Sequence, residues 1–182
     1  DLVMDQVAAH VASLVPDGAT LQLGLGRLQS ALLRAVRERR GLRIHSGMVS
    51  DGLLGLFDAD ALVSDADAVI AGVAIGTRRL YDAVAERVHF REVGHTHCHS
   101  VLRAIPRLMA VNSALSVDLL GQVNGEFLGG RQLSGVGGLP YFLRAARLSD
   151  AGRGIIALPS CTPSGTSRVV PMLPKGPVSV GR

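Results

Sequence analysis

Two glycine-rich segments are the first candidates for chemistry in this sequence of 182 residues, Gly24-Leu25-Gly26 and Gly135-Val136-Gly137-Gly138. Glycine lets a ligand approach the backbone, and free N–H groups at a strand-to-helix turn favour an anion. The first segment begins like the dinucleotide fingerprint G-x-G-x-x-G, but Gln29 replaces the third glycine and no acidic residue ends a second strand at the expected distance. A nucleotide-binding Rossmann site is therefore disfavoured, and backbone contact with an anionic ligand is the remaining interpretation.

A third candidate is the segment Arg43-Ile44-His45-Ser46-Gly47-Met48-Val49-Ser50-Asp51-Gly52, where a buried strand is predicted to run into a polar turn. Such turns are the usual place for an active site in an α/β protein. Ser46 would act as a nucleophile only with His45 as its base, but neighbours on a strand point to opposite faces. The G-x-S-x-G elbow of serine hydrolases is absent at 135–138, which contains no serine. A Ser–His hydrolase site is therefore disfavoured.

The segment Gly94-His95-Thr96-His97-Cys98-His99 combines residue types that bind zinc. On an extended chain the alternating histidines would share one side, yet one short run rarely closes a tetrahedral site without a distant ligand. A polar loop after a strand is the favoured interpretation, and no metal site is predicted. Cys161 lies in a loop rich in proline, serine and threonine, and no acid–base partner is assigned to it. Two cysteines without a disulfide framework predict a reduced, cytoplasmic protein.

Composition limits the classes of partner. Hydrophobic residues make up 47% of the sequence and charged residues 19%, which is typical of a globular chain. The net charge is +4, but aromatic residues make up only 3% and acidic residues are interspersed, so no nucleic-acid partner is expected. No apolar run reaches the roughly 20 residues that span a bilayer, and the N-terminal segment has a helical pattern unlike a signal peptide, so no membrane partner is expected. A mild positive excess suits a small polyanionic ligand.

The elements that must position these segments alternate between helical and strand patterns. Short apolar runs bounded by glycine or polar residues indicate strands, and apolar residues at helical spacing indicate helices. Strands are predicted over 19–23, 42–45, 68–75, 88–93, 154–158 and 167–172, helices over 3–15, 30–40 and 141–147 and after Thr77, and an extended pair over 108–117 and 121–127. This alternation predicts one α/β domain over 1–182, with an open, largely parallel sheet flanked by helices. Ligands bind such sheets at the carboxyl ends of the strands.

An ordered set of motifs carries a resemblance to a known family. The motifs are SLVPDGATLQLGLG (13–26), IHSGMVSDG (44–52), AVNSALSVDLLGQVNGE (110–126), GGRQLSGVGG (129–138) and GIIALPS (154–160). Together they resemble the acetyl-CoA hydrolase/transferase family, a branch of the class I CoA-transferases that includes 4-hydroxybutyrate and butyryl-CoA:acetate CoA-transferases. The resemblance runs along nearly the whole chain but matches only the C-terminal half of a family protein. It implies a fragment or a separate subunit, with a second CoA-transferase-like half or a homo-oligomer as partner.

The resemblance implies an acyl-CoA and a small carboxylic acid as substrates, with no metal. In the family a glutamate carboxylate attacks the thioester and passes through an anhydride and a glutamyl-CoA, which splits one difficult exchange into easier steps. The loop Gly135-Val136-Gly137-Gly138 is implied to lie along CoA, and Gly24 and Gly26 match the first glycine turn. Arg27 stands where members carry a further glycine, and it is expected either to clash with CoA or to contact a phosphate. Four polar residues are implied to shape the site, with turn and core hydrogen bonding as the alternative: Asn112, Asp118, Gln122 and Asn124.

The chain departs from the family where the nucleophile should be. Members read H-T-E-M-x-S-D-G, whereas Gly47 stands here at the glutamate, and Ser116 replaces a second usual acid. Glycine has no side chain to form an anhydride, so the catalytic residue is unassigned, with Ser46 and Asp51 as neighbours of the lost position. Asp51 is expected to orient the turn, and Glu126 matches an acid that members carry in addition to the nucleophile.

Several outcomes remain open for the reaction. Water in the space left by the missing side chain would give a slow hydrolase. A nucleophile supplied elsewhere would preserve transfer. The chain would otherwise be a non-catalytic CoA-binding subunit, or a remnant with no independent activity.

Overall fold

The computed structural model describes residues 1–174 and 178–181, and its secondary structure alternates between helix and strand along most of the chain. In chain order the elements are α1 (Leu2–Ser13), β1 (Thr20–Leu23), α2 (Arg27–Ala35), β2 (Arg43–Val49), α3 (Gly52–Asp58), β3 (Val69–Ala74), α4 (Arg78–Val84), β4 (His89–Phe90), α5 (Val93–Thr96), α6 (His99–Arg103), β5 (Leu108–Asn112), β6 (Ser116–Asp118), β7 (Val123–Asn124), β8 (Phe127–Leu128), β9 (Arg131–Gln132), α7 (Leu139–Leu148), β10 (Arg153–Ile156) and β11 (Val169–Val170).

Six strands form one fully parallel sheet in the order β10-β5-β1-β2-β3-β4. Strand β1 lies inside the sheet, and all four of its residues are buried. Such continuous burial is typical of a parallel strand covered by helices on both faces. The predicted open, parallel α/β sheet is confirmed.

The two faces of the sheet carry separate helical layers. On β5, Met109 and Val111 pack into the larger core with residues of α1, α2 and α3. The alternate residues Leu108 and Ala110 pack into a smaller core with Phe142 of α7. Because successive residues of a strand point to opposite faces, the two cores lie on opposite sides of the sheet. Helix α5 packs against β2 and β3, and α7 packs against β5 and β10.

Strand β2 is longer than the sequence predicts, and this changes the setting of Gly47. The prediction ended the strand at His45, whereas β2 continues to Val49. The extension pairs with β3, which places Ser46 beside Ala71 and Val49 beside Ala74. Gly47 therefore lies within the sheet rather than in a polar turn.

Helix α2 is displaced relative to its predicted span of 30–40. It begins at Arg27, directly after Gly26, whose φ of 113° is a conformation that favours glycine. It ends at Ala35, because Arg39 N–H closes a tight turn by donating to the carbonyl oxygen of Val36 at 2.9 Å.

The predicted strand over 88–93 is shorter than expected. It forms only the two residues of β4, because helix α5 begins at Val93. Helix α6 then begins at His99, so the histidine-rich segment lies on helical turns and not on an extended chain.

The extended pair predicted over 108–117 and 121–127 divides between two sheets. Strand β5 stays in the main sheet and ends at Asn112, and only β6 and β7 form an antiparallel pair. Strand β11 adds to β6 in parallel, and β8 with β9 forms a separate hairpin. None of the helices in the described part of the chain is long and apolar enough to cross a membrane.

Candidate active site

The carboxyl ends of β1 and β5 meet at one edge of the sheet, where a buried amide pair joins them. The side-chain amide of Asn112 donates to Gln22 Oε1 at 2.9 Å, and Gln22 Nε2 lies 3.5 Å from Asn112 Oδ1. A Cβ built on Gly24 would lie 3.5 Å from Gln29 Nε2 and 3.9 Å from Asn112 Oδ1. The side-chain amides of Gln22, Gln29 and Asn112 thus form a polar floor beneath the Gly24 turn. Gly24 has no side chain, so its backbone lies close to them.

The first glycine turn opens onto a cavity beyond the ends of β1, β5 and β10. The cavity has a volume of about 260 Å³ and is lined in part by Gly26, Arg27, Ser113, Pro159 and Arg168. The exposed Arg27 guanidinium lies 3.3 Å from an Asp1 carboxylate oxygen. Arg27 therefore lines the cavity while its charged end forms a surface ion pair.

Ser46 and His45 point to opposite faces of β2, as their adjacency predicts. The buried Ser46 hydroxyl donates to the carbonyl oxygen of Leu23 at 2.8 Å and ties β2 to β1. On the other face, His45 Nε2 lies 3.3 Å from the carbonyl oxygen of Thr96. Burial lowers the pKa of His45 to about 4, so its imidazole is neutral and donates to that carbonyl. These two side chains do not form a nucleophile–base pair.

Asp51 fastens the turn after β2 to the helix that follows β3. Its carboxylate accepts hydrogen bonds from Thr77 N–H at 3.0 Å and from the Thr77 hydroxyl at 2.6 Å. These bonds lower the pKa of Asp51 because they stabilise its charged form. Thr77 lies at the N-cap of α4 as predicted, although its hydroxyl binds Asp51 instead of the helix. The expected orienting role of Asp51 thus has a structural basis, with its carboxylate already engaged.

The space beside Gly47 is filled by the imidazole of His97. A Cβ built on Gly47 would lie 2.6 Å from His97 Cε1 and 3.0 Å from Nε2, closer than van der Waals contact allows. A Cβ built on Gly138 would lie 2.7 Å from the same Nε2. The ring therefore sits between β2 and the second glycine loop. The ring belongs to the C-cap residue of α5.

The surroundings of His97 fix its ring. Thr96 Oγ1 lies 3.0 Å from Nδ1, and the ring packs against Phe142 with centroids 4.9 Å apart and against the edge of Tyr141 at 6.3 Å. The side chain is half-buried, and this burial lowers its pKa below the ordinary value of 6.5. A neutral imidazole at neutral pH thus faces the glycine loop.

The second glycine loop is open on its outer side. Built Cβ atoms on Gly135 and Gly137 meet nothing within 4 Å among the described residues, and Gly137 has a φ of +58°. Val136 between them is partly exposed. The loop thus contacts His97 through Gly138 while its remaining glycines leave backbone free for a ligand. Sequence reasoning placed this loop in the site but assigned His97 to a polar loop.

The polar segment expected to shape the site forms mainly turn hydrogen bonds. Asp118 accepts from the N–H groups of Leu120 at 3.0 Å and Gln122 at 2.8 Å, and Asn124 Oδ1 accepts from Phe127 N–H at 2.9 Å. Among the predicted four, Asn112 lies at the polar floor, while Asp118 and Asn124 hold the chain reversals around β6 and β7. Over residues 1–174 and 178–181, no group of three or more histidine, cysteine or acidic residues is arranged to hold a metal ion.

The fold is that of an α/β protein of the CoA-transferase class. RipA from Yersinia pestis has a similar structure, with a TM-score of 0.87 and 30% sequence identity over 96% of this chain and 42% of RipA. A 4-hydroxybutyrate CoA-transferase from Porphyromonas gingivalis superposes with a TM-score of 0.83 and 29% identity, over 95% of this chain and 43% of that one. Both similarities extend over nearly all of this chain.

The chain belongs to the acetyl-CoA hydrolase/transferase family. The model of the acetyl-CoA hydrolase/transferase C-terminal domain matches residues 76–181. A 4-hydroxybutyrate coenzyme A transferase from Clostridium kluyveri is 38% identical over 178 residues, which cover 93% of this chain and 42% of the relative. An acetyl-CoA hydrolase from Candida albicans is 27% identical over 84% of this chain and 30% of its own length. The family resemblance is confirmed, and the chain spans well under half the length of these relatives.

Proposed function

We propose that this chain is an acyl-CoA-binding domain, one CoA-transferase-like unit over 1–182, that supports thioester chemistry on a short acyl-CoA. The observation that carries the proposal is that Gly47 and Gly138 contact the same imidazole from two sides. Strand β2, which the resemblance implies bears the family's nucleophile, and the 135–138 loop, which it implies lies along CoA, therefore both reach this ring. Gly24 and Gly26 supply a second glycine turn at the same sheet edge, beside a cavity.

The reaction differs from transfer through an enzyme-bound anhydride. That route needs a carboxylate at position 47, and a glycine there has no side chain to acylate. Attack by water or by a small carboxylic acid on the bound thioester remains available, with backbone N–H groups of the glycine loop stabilising the oxyanion. The partner is a second CoA-transferase-like half or another copy of this chain, and the compartment is the cytoplasm.

The role of the glycine loop is tested by comparing Gly137→Ala with Gly165→Ala. Both glycines have positive φ values, +58° and +84°, with nothing within 4 Å of a built Cβ. An alanine strains either backbone by about 1–2 kcal/mol. If that strain displaces the ligand-binding loop, Gly137→Ala weakens acetyl-CoA binding by about 5–30-fold. Gly165→Ala destabilises the fold similarly but leaves affinity unchanged.

Calorimetric titration of the wild-type chain with acetyl-CoA decides the proposal. Binding that depends on Gly137 and not on Gly165 supports it. The absence of binding by the folded wild type, or equal losses in the two variants, contradicts it.

A second candidate is a non-catalytic CoA-binding subunit. The absence of an acid at both Gly47 and Ser116 favours it, because relatives of this type are expected to use those positions. A panel of short acyl-CoAs separates the two candidates. Binding without any loss of thioester supports the subunit, and turnover by the chain alone supports the enzyme.

A further inference from the structure

We propose that His97 is the general base of this domain, with Nε2 activating water against the thioester of a bound acyl-CoA. This inference rests on the proposed acyl-CoA binding and names the residue that acts in that site. The imidazole occupies the direction in which a side chain at position 47 would project from β2. It thereby places a proton acceptor where the family's carboxylate has been lost.

The position of the ring satisfies the first requirement for a base. Nε2 lies 3.0 Å from the built Cβ of Gly47 and 2.7 Å from that of Gly138, so this nitrogen lies between the strand and the loop. Both neighbours lack side chains, so backbone alone surrounds the nitrogen on those two sides. Larger residues at either position would fill the space that the imidazole now occupies.

A hydrogen-bond chain behind the ring admits the tautomer in which Nδ1 carries the proton. The fully buried Thr96 hydroxyl lies 3.4 Å from the carbonyl oxygen of Glu92 and 3.0 Å from His97 Nδ1. When the hydroxyl donates its single proton to the carbonyl, it accepts from Nδ1–H. That tautomer leaves the lone pair on Nε2, directed toward Gly47 and Gly138. Thr96 is therefore a positioning residue for the base.

Access to the ring comes from the glycine loop. His97 is half-buried, and nothing among the described residues lies within 4 Å of Cβ atoms built on Gly135 and Gly137. A thioester bound along that loop approaches His97 from the side of Nε2. Neighbouring polar groups are already engaged, since Ser46 donates to Leu23 and Asp51 accepts from Thr77. His97 is thus the neutral base placed at this junction.

The proposed step is hydrolysis and needs no co-reactant other than water. Nε2 accepts a proton from water as the oxygen forms a bond to the thioester carbonyl carbon, which gives a tetrahedral oxyanion. The carbonyl re-forms as the carbon–sulfur bond breaks, and the imidazolium returns its proton to the leaving CoA sulfur. The products are a carboxylic acid and free CoA, and the imidazole is neutral again.

Two histidine-to-asparagine substitutions distinguish a role of His97 as a base from a role in packing. His97→Asn keeps an amide that can bond to Thr96 but removes the base at Nε2, whereas His99→Asn makes the same change two residues on. Hydrolysis of acetyl-CoA is measured as the loss of thioester absorbance. A thiol reagent is not used to detect CoA, because it would react with the exposed Cys161. We expect His97→Asn to lower kcat by about 10²–10⁴-fold. His99→Asn leaves kcat unchanged, and both variants bind acetyl-CoA with wild-type affinity.

Chemical rescue provides a readout that a packing role would not produce. In His97→Ala the ring's space is empty, and added imidazole restores hydrolysis in a concentration-dependent manner. Equal rates of thioester loss in the wild type and in His97→Asn overturn the assignment of His97 as the base. A wild-type protein that binds acetyl-CoA and never hydrolyses it overturns the assignment as well. In that last case acyl-CoA binding still stands. Failure of the folded wild type to bind acetyl-CoA overturns the proposed function as well.

Discussion

The contact between Gly47 and His97 predicts strong energetic coupling between the two positions. An alanine at 47 would place its Cβ 2.6 Å from His97 Cε1, whereas ordinary contact begins at 3.4 Å, so the ring must move by roughly 0.8 Å (3.4 − 2.6). That movement disturbs the bond to Thr96, worth about 0.5–1.5 kcal/mol. It also disturbs the packing on Phe142, worth about 0.5–1.5 kcal/mol. These two losses total about 1–3 kcal/mol. Subtracting the gain of about 0.5–1 kcal/mol from replacing a glycine in a strand leaves a destabilisation of up to about 2.5 kcal/mol for Gly47→Ala in the wild-type protein.

The same substitution has the opposite effect once the ring is gone. In a His97→Ala background the built Cβ meets no imidazole, and only the gain from replacing a strand glycine remains. Gly47→Ala then stabilises by about 0.5–1 kcal/mol. The four proteins of a double-mutant cycle should thus give a coupling free energy of about 1–3 kcal/mol.

Urea unfolding of the four proteins measures this coupling, and Gly55 provides the matched control. A Cβ built on Gly55 in α3 meets nothing within 4 Å. Gly55→Ala should therefore stabilise by about 1 kcal/mol whether or not His97 is present. Additivity of Gly47→Ala and His97→Ala within about 0.5 kcal/mol would show that the ring does not occupy the space beside Gly47. Non-additivity in the Gly55 cycle would show a general rather than local effect.

Two further predictions follow from the same neighbourhood. The Gly47→Glu variant should transfer CoA from butyryl-CoA to acetate poorly. Combining Gly47→Glu with His97→Ala should raise the transfer rate at least tenfold, because only the double variant makes room for the carboxylate. Equal rates would contradict the steric argument. The pKa of buried His45 is lowered to about 4, and histidines 95 and 97 nearby contribute to lowering it. The unfolded chain therefore binds a proton at His45 that the folded one does not as pH falls below about 6.5. The contribution of His45 to stability is thus constant above that pH and declines by up to about 3 kcal/mol toward pH 4. Urea midpoints across this range should fall less in His45→Gln, and an equal fall in both proteins would refute the assignment.

The parallel sheet was predictable because its central strands are apolar runs with clear ends. The predicted strands over 19–23 and 68–75 match β1 and β3 closely, since burial on both faces leaves a continuous apolar signal. Strand β2 was predicted too short because Ser46 and Gly47 interrupt that signal. Their pairing with β3 is a tertiary interaction, which satisfies the backbone where the side chains give no strand pattern.

The two glycine segments were recognisable in the sequence as candidate parts of the site, because glycine where the backbone approaches a ligand leaves a distinct motif. His97 was not, since its neighbours Gly47, Gly138 and Phe142 are distant in sequence and come next to it only after the chain folds. In the sequence it is one of three alternating histidines, and nothing local distinguishes it from His95 or His99. What distinguishes His97 is that Gly47 and Gly138, which are distant from it in sequence, both leave space for its ring.

This reciprocity bears on the proposed replacement of the family's glutamate by Gly47. A glycine that arose by simple decay of an active site would leave a gap beside β2, yet the gap is filled by a side chain held by Thr96 and Phe142. A filled position resists reversion, because a carboxylate can return only if the imidazole leaves. Under the proposed function, positions 47 and 97 act as one unit, and the chemistry depends on which of the two side chains projects into the shared space. With glycine at 47, the proposed base in that space is the imidazole of His97.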